Sequence, residues 1–148
     1  MLDRNIVIKG TKTKIRPFME SDINEDYISW LNDDEIMKFS NQRFIIHNRE
    51  SSLNYMNGFI DTSNAFFAVE DVETSKLIGT ITVYFSEREG IADLGILLGD
   101  KESAGKGFGK DCWCATIEWL KNQDNVRKIT AGTVSVNEPM LALMRAAD

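Results

Sequence analysis

The sequence predicts a mixed α/β fold, an antiparallel meander at the centre of a sheet with helices on both sides. Three observations carry that prediction. Ala65 to Val69, Lys76 to Phe85 and Ile91 to Leu98 are consecutive β-rich runs joined by the short polar stretches Glu70 to Ser75 and Glu87 to Gly90. Connections that short allow only antiparallel neighbours. Before them lie stretches with helical spacing of apolar residues, and after them a glycine-rich junction leads into another helix.

The elements follow in order. Ile6-Val7-Ile8 and Lys12 to Arg16, separated by Gly10, read as a short strand pair. Ser21-Asp22 offers an N-cap, and Ile23, Tyr27, Trp30 and Leu31 recur at i, i+4, i+7 and i+8, the spacing of one buried helical stripe. Asn32-Asp33-Asp34 ends that helix, and Glu35 to Phe39 forms one further turn. Asn48 caps a second helix carrying Leu53, Met56 and Ile60, with Gly58 weakening its end. Past the meander, the pattern predicts a helix from about Asp111 to Asn122, a strand over Val126 to Val136 and a last helix over Glu138 to Ala147. Helices, three antiparallel strands, helix, strand, helix is not the alternation of a doubly wound parallel sheet.

At 148 residues the chain has the size of one domain. Apolar residues make up 43% and charged residues 27%, a globular balance that excludes collagen-like, coiled-coil and disordered classes. No apolar run approaches the roughly 20 residues that cross a bilayer, and Met1-Leu2-Asp3-Arg4 has no apolar signal core, so the expectation is a cytoplasmic protein without a membrane partner. The net charge of −6 repels phosphates overall and argues against nucleic acid. Cys112 and Cys114 are two apart on the predicted helix, and His47 is the only histidine, so neither a disulfide nor a metal site is expected.

In so acidic a chain an anionic small molecule needs a local positive patch, and one stretch supplies it. Gly105-Lys106-Gly107-Phe108-Gly109-Lys110 lies between a strand and a helix. Glycines let a ligand approach the main chain, the helix start presents unpaired N–H groups, and Lys101, Lys106 and Lys110 add charge. A Walker A loop does not fit: counted from Gly99, its second glycine falls on Ala104, and Lys106 precedes Gly107 where Ser or Thr is required. The dinucleotide fingerprint fits Gly105 and Gly107 but then meets Lys110, and its preceding strand would have to be parallel.

The stretch from Asp93 to Lys110, with Asn137 beyond it, resembles the GNAT superfamily of acyl-CoA-dependent N-acetyltransferases. The family's pyrophosphate motif, [QR]-x-x-G-x-[GA], aligns on Ala104-Gly105-Lys106-Gly107-Phe108-Gly109, with Ala104 at the Gln/Arg position. Asn137, in Val134-Ser135-Val136-Asn137, stands where the family has an Asn after the next strand. Arg16-Pro17-Phe18, Ser21-Asp22 and Trp30-Leu31-Asn32-Asp33-Asp34-Glu35 look like the front of the subfamily that includes ribosomal-protein N-terminal acetyltransferases.

The resemblance implies that Ile96, Leu97 and Leu98 offer backbone groups to the pantetheine arm of acetyl-CoA, laid like an added strand in a splay of the sheet. An amide near Ile96 or Leu97 would polarise the thioester carbonyl. Gly105 to Lys110 would bind the pyrophosphate, and Asn137 the cofactor arm. The family often has a proton-donating Tyr seven residues after the Asn; that position is Met144, so water, the substrate or another residue such as Tyr84 would supply the proton. Asp93 is the first candidate for the base, ahead of Glu70 and Glu87, and a water-relayed base is an alternative. Asp93 also reads as a solvated strand residue, and Asn137 before Glu138-Pro139 as a helix N-cap.

Family members continue with a Gly-Phe turn and two more strands, and the sequence stops at Asp148, where that glycine would fall. The expectation is therefore a single acetyltransferase domain over residues 1–148, C-terminally incomplete, its missing strands removed or lent by a partner such as a second copy in a homodimer. The resemblance implies transfer of acetyl from acetyl-CoA to a primary amine, on a protein N-terminus or on a small molecule such as an amino sugar. A catalytically silent acyl-CoA-binding module and an unrelated nucleotide-phosphate binder are the alternatives.

Overall fold

The computed structural model describes residues 5–132 and 137–146. The fold class agrees with the sequence. Six strands form one sheet in sequential order: β1 (Ile8–Lys9), β2 (Thr13–Pro17), β3 (Ala65–Asp71), β4 (Leu77–Ser86), β5 (Ile91–Leu98) and β6 (Lys128–Thr130). Neighbours pair antiparallel, except that β6 runs parallel to β5. The helices are α1 (Glu25–Leu31), α2 (Arg49–Asn57), α3 (Phe108–Lys121) and α4 (Glu138–Ala146).

Strand alternation divides β3 between two cores. Phe67 and Val69 face Ile15, Ile81, Val83, Leu94, Cys112, Trp113 and Leu120, on the side that α3 and α4 cover. Phe66 and Ala68 face Phe18, Ile23, Tyr27, Trp30 and Phe59 under α1 and α2. A sheet covered on both faces needs apolar residues at nearly every position, which is why Ala65 to Glu70 are all buried. Each large apolar side chain so removed from water contributes about 1.5–3 kcal/mol.

The element limits differ from the sequence reading in ways that have local causes. The first helix begins at Glu25, because Asn24 accepts from the Tyr27 amide at 2.8 Å and outcompetes Ser21-Asp22 as cap. Asp22 has another task. Its carboxylate takes two hydrogen bonds from the Arg16 guanidinium, at 2.7 and 2.8 Å, and a third from the Met19 amide. Arg16 Nε donates to Glu70, so one guanidinium ties β2, the turn after it and β3. The Asp22 bonds, first among the causes, raise the Arg16 pKa further. Glu70, named as a weaker base, is spent on this ion pair. The second helix has the predicted Asn48 cap but ends at Asn57, leaving Ile60 exposed. Of the expected strand Val126 to Val136, Lys128–Thr130 pairs with β5, and residues 133–136 lie outside the described residues. Met1 to Arg4 and Asp148, on which the readings of the two ends rest, lie outside them as well.

Two buried weak acids give the fold an alkaline limit. Burial pushes the Tyr27 phenol and the Cys112 thiol each up to about 12. Both favour the protonated form when folded, so their stabilisation is complete below the ordinary thiol and phenol ranges, about 8.5 and 10, and is lost as pH climbs toward 12. Thermal melts should therefore be flat near neutrality and fall steadily above about pH 9; a melting temperature unchanged at pH 11 would contradict the burial of both groups.

Candidate active site

The site follows from where β6 stops. Its register with β5 runs Ile91 to Lys128, Ala92 to Ile129 and Asp93 to Thr130, and no pair follows among the described residues. β5 continues to Leu98 against β4 alone, so the edge from Leu94 onward lacks a strand neighbour among the described residues.

Backbone groups alternate between the two edges of a strand. The Gly90 carbonyl accepts from the Arg127 and Lys128 amides, so even-numbered β5 residues point toward β6. The Leu97 carbonyl points the other way, lying only 2.3 Å from where a Cβ on Gly79 of β4 would be. Ile96 and Leu98 therefore direct their N–H and C=O groups to the open edge. Leu97 does not, so of the two amides expected there the Ile96 amide is the one aimed at the edge; Leu97 is among the residues that line the cleft.

That edge ends at the glycine-rich loop. Gly99 lies so close to Trp30 of α1 that a Cβ would sit 2.0 Å from the indole, which pins the loop to the first helix. One 3-10 turn, Lys101–Ser103, leads to Ala104, Gly105 and Gly107. Gly105 and Gly107 adopt φ of +74° and +83°, the left-handed region that side chains disfavour. Gly107 occupies the N-cap position of α3 and contributes no capping side chain, so the first-turn amides keep open donor capacity. The helix begins at Phe108, earlier than the predicted Asp111, and takes Phe108, Gly109 and Lys110 into its first turn.

The positive potential there is distributed differently from the sequence expectation. Lys101 is paired with Asp33 at 2.9 Å, and its hydrogen bond holds the Asp33 carboxyl below the usual range. Lys12, which sequence reasoning passed over, reaches across from the β1–β2 turn and donates from Nζ to the Lys106 carbonyl at 2.7 Å. Lys12, Lys106 and Lys110 have no carboxylate partner among the described residues. What places Lys12 is Asp111: its carboxylate accepts from the Thr11, Lys12 and Thr13 amides at 2.9 to 3.0 Å and from the Thr13 hydroxyl at 2.6 Å.

A cleft of about 1390 Å³ runs along this edge. Ile96, Leu97, Leu98, Ala104, Gly105 and Asn137 line it, whereas Lys106, Gly107, Phe108, Gly109, Lys110 and Asp93 do not. Asn137 caps α4, its side chain accepting from the Met140 amide at 3.3 Å. Met144 packs against the α3-side core.

Asp93 is exposed at the end of the β5–β6 pairing, and its carboxylate accepts from the Thr130 hydroxyl at 2.7 Å. Across the sheet it stands opposite Tyr84, whose hydroxyl lies 3.2 Å from that of Tyr55. Tyr55, on α2, lines the cleft and carries no signal in the sequence, since only the fold brings α2 over this part of the sheet. Burial, reinforced by the Tyr84 hydroxyl, raises the Tyr55 pKa and keeps it a neutral phenol.

A sequence profile of the acetyltransferase (GNAT) domain matches residues 12–148. An N-acetyltransferase 9-like protein of Caenorhabditis briggsae is 20% identical over 151 residues, covering 96% of this chain and 76% of that one. A ribosomal L7/L12 alpha-N-protein acetyltransferase solved with coenzyme A superposes with a TM-score of 0.83 at 12% identity, over 96% of this chain and 82% of that one. A spermidine N-acetyltransferase from Vibrio cholerae, solved with CoA and spermine, gives a TM-score of 0.80 at 19% identity, over 93% and 80%. At these identities the likeness to solved structures carries the fold alone.

Proposed function

The chain belongs to the GNAT acetyltransferase domain family, and from that premise we propose that it moves an acetyl group from acetyl-CoA to a primary amine. The observation that carries this reading is the edge of β5 that has no strand neighbour among the described residues and ends on a glycine-rich helix start. An extended pantetheine arm completes such an edge by strand-like hydrogen bonds to Ile96 and Leu98. The amides of Gly105 to Lys110, with Lys12 beside them, then receive the pyrophosphate. Ala104 shapes the approach, and Asn137 adds a polar contact for the arm. Two solved relatives hold coenzyme A, which supports the same donor here.

In the reaction the amine nitrogen attacks the thioester carbonyl. The Ile96 amide is the donor proposed for the developing oxyanion, in place of Leu97. Asp93 is proposed to take up the ammonium proton, directly or through water, with the Thr130 hydroxyl holding its carboxylate. The front of the chain, from Arg16 to Glu35, supports the branch that includes ribosomal-protein N-terminal acetyltransferases. Cys112 and Cys114 are both free thiols and suit a reducing compartment such as the cytoplasm.

The test is release of free thiol from acetyl-CoA in the presence of a panel of amines. Asp93→Asn should lower turnover about 100-fold, within the range for loss of a general base, and leave CoA affinity unchanged. Wild-type rates in that variant would remove Asp93 from the mechanism. Met144, a thioether where a proton donor is common, favours a second reading, the silent acyl-CoA-binding module. Tight CoA binding with no thiol release for any amine would establish it.

A further inference from the structure

The proposed activity leaves the acceptor open, and the charges along the cleft narrow it. The cleft lining includes the apolar and aromatic residues Ile36, Phe39, Ile45, Tyr55 and Phe66, interspersed with uncharged polar ones such as Asn54. The charged side chains that line the cleft are satisfied by neighbours. Glu35 is paired with Lys38 at 2.7 Å. Asp100 accepts from Ser103 at 2.7 Å and from Lys76 at 3.3 Å; burial opposes its ionisation, yet these hydrogen bonds hold its carboxyl below the usual range. Lys101 is paired with Asp33, and His47 Nε2 lies 2.9 Å from the Gln42 carbonyl. Asp93, beyond the lining residues, has its Oδ1 on Thr130. Each carboxylate among the cleft's lining residues is thus matched to a lysine, and Asp93, outside that lining and held only by a neutral hydroxyl, is the carboxylate left for the reacting amine.

An acceptor with several ammonium groups would shed their water in the cleft and, with Asp93 taken by the reacting amine, find no unpaired carboxylate among the described lining residues to replace it. An amine with a single charge escapes that cost, because it must be neutral to attack the thioester. Resting on the transferase reading, we infer that the acceptor is a monoamine on an apolar or aromatic framework, and that polyamines and aminoglycosides are poor substrates. This separates the chain from its structural neighbour solved with spermine.

The test compares kcat/KM, by thiol release from acetyl-CoA, for 2-phenylethylamine, a phenylalanyl peptide amide, spermidine and kanamycin. The two monoamines should exceed spermidine and kanamycin by about 100-fold, the scale on which unpaired polar groups discriminate. Lys38→Met, which releases Glu35 from its partner at the cleft, should raise kcat/KM for spermidine relative to the monoamines by up to about 5-fold; an unchanged ratio would count against the inference. If spermidine or kanamycin matches the monoamines, the inference fails while the transferase reading stands. If none of the four releases thiol but another amine of the wider panel does, the inference fails and the transferase reading stands; no release with any amine overturns both.

Discussion

Gly107→Glu should abolish coenzyme A binding and leave the fold intact. Position 107 is exposed, stands at the N-cap of α3, and has φ of +83°. A side chain there costs about 1–2 kcal/mol in backbone strain, which a domain of ordinary stability survives. Its Cβ would lie 3.2 Å from the Lys12 ammonium, the mobile end of a flexible side chain that can shift. The effect on the ligand is larger. The carboxylate takes the place proposed for the diphosphate, repels it, and competes for Lys12 and the first-turn amides. Hydrogen bonds to a charged group are worth about 1.5–3 kcal/mol each, so losing two weakens binding by 100-fold or more. Calorimetric titration with CoA checks this, and Gly107→Ala is the control. The alanine variant carries the strain without the charge and should lose far less affinity. Equal losses in the two variants would locate the defect in the backbone instead of the anion cradle.

Asp111→Ala has the largest expected effect on stability. Its carboxylate holds three successive amides and one hydroxyl of the β1–β2 turn, and the turn is shaped around it: a Cβ on Gly10 would sit 2.2 Å from Asp111 Oδ2. Thr11 and Lys12 are exposed, so water can replace the carboxylate at their amides. Thr13 is fully buried, and its N–H and hydroxyl would be left unsatisfied. Buried orphans of that kind cost about 1–3 kcal/mol each, which points to a loss near 3 kcal/mol. At about 2–4 °C per kcal/mol for a chain of this size, the melting temperature should drop by about 6–12 °C. A drop below about 2 °C would show that the turn is held by other contacts. The same variant frees Lys12 from the loop and should weaken CoA binding as a secondary effect.

The contrast between these two residues shows what the sequence could reveal. Gly107 is legible because glycine spacing before a helix is a local pattern with a local cause. The meander is legible for the same reason: its turns are short and its runs dense in β-branched and aromatic residues. Asp111 lies at a predicted helix start, where an acidic residue already has a local explanation, and its partners are about a hundred positions away in the chain. Lys12, Tyr55 and the Arg16–Glu70 pair are long-range in the same sense, since only the assembled sheet brings them to their places. The direction of Leu97 is a different kind of omission. Side-chain alternation can be read from a strand's sequence, but which edge each amide faces depends on the register with β4 and on where β6 ends.

The most direct measurement is a crystal structure of the chain soaked with coenzyme A. The account predicts an extended arm along β5, in hydrogen-bond reach of Ile96 and Leu98, with the diphosphate on the main-chain amides of residues 105–110. Coenzyme A seated away from that loop, or no binding at millimolar concentration, would contradict it.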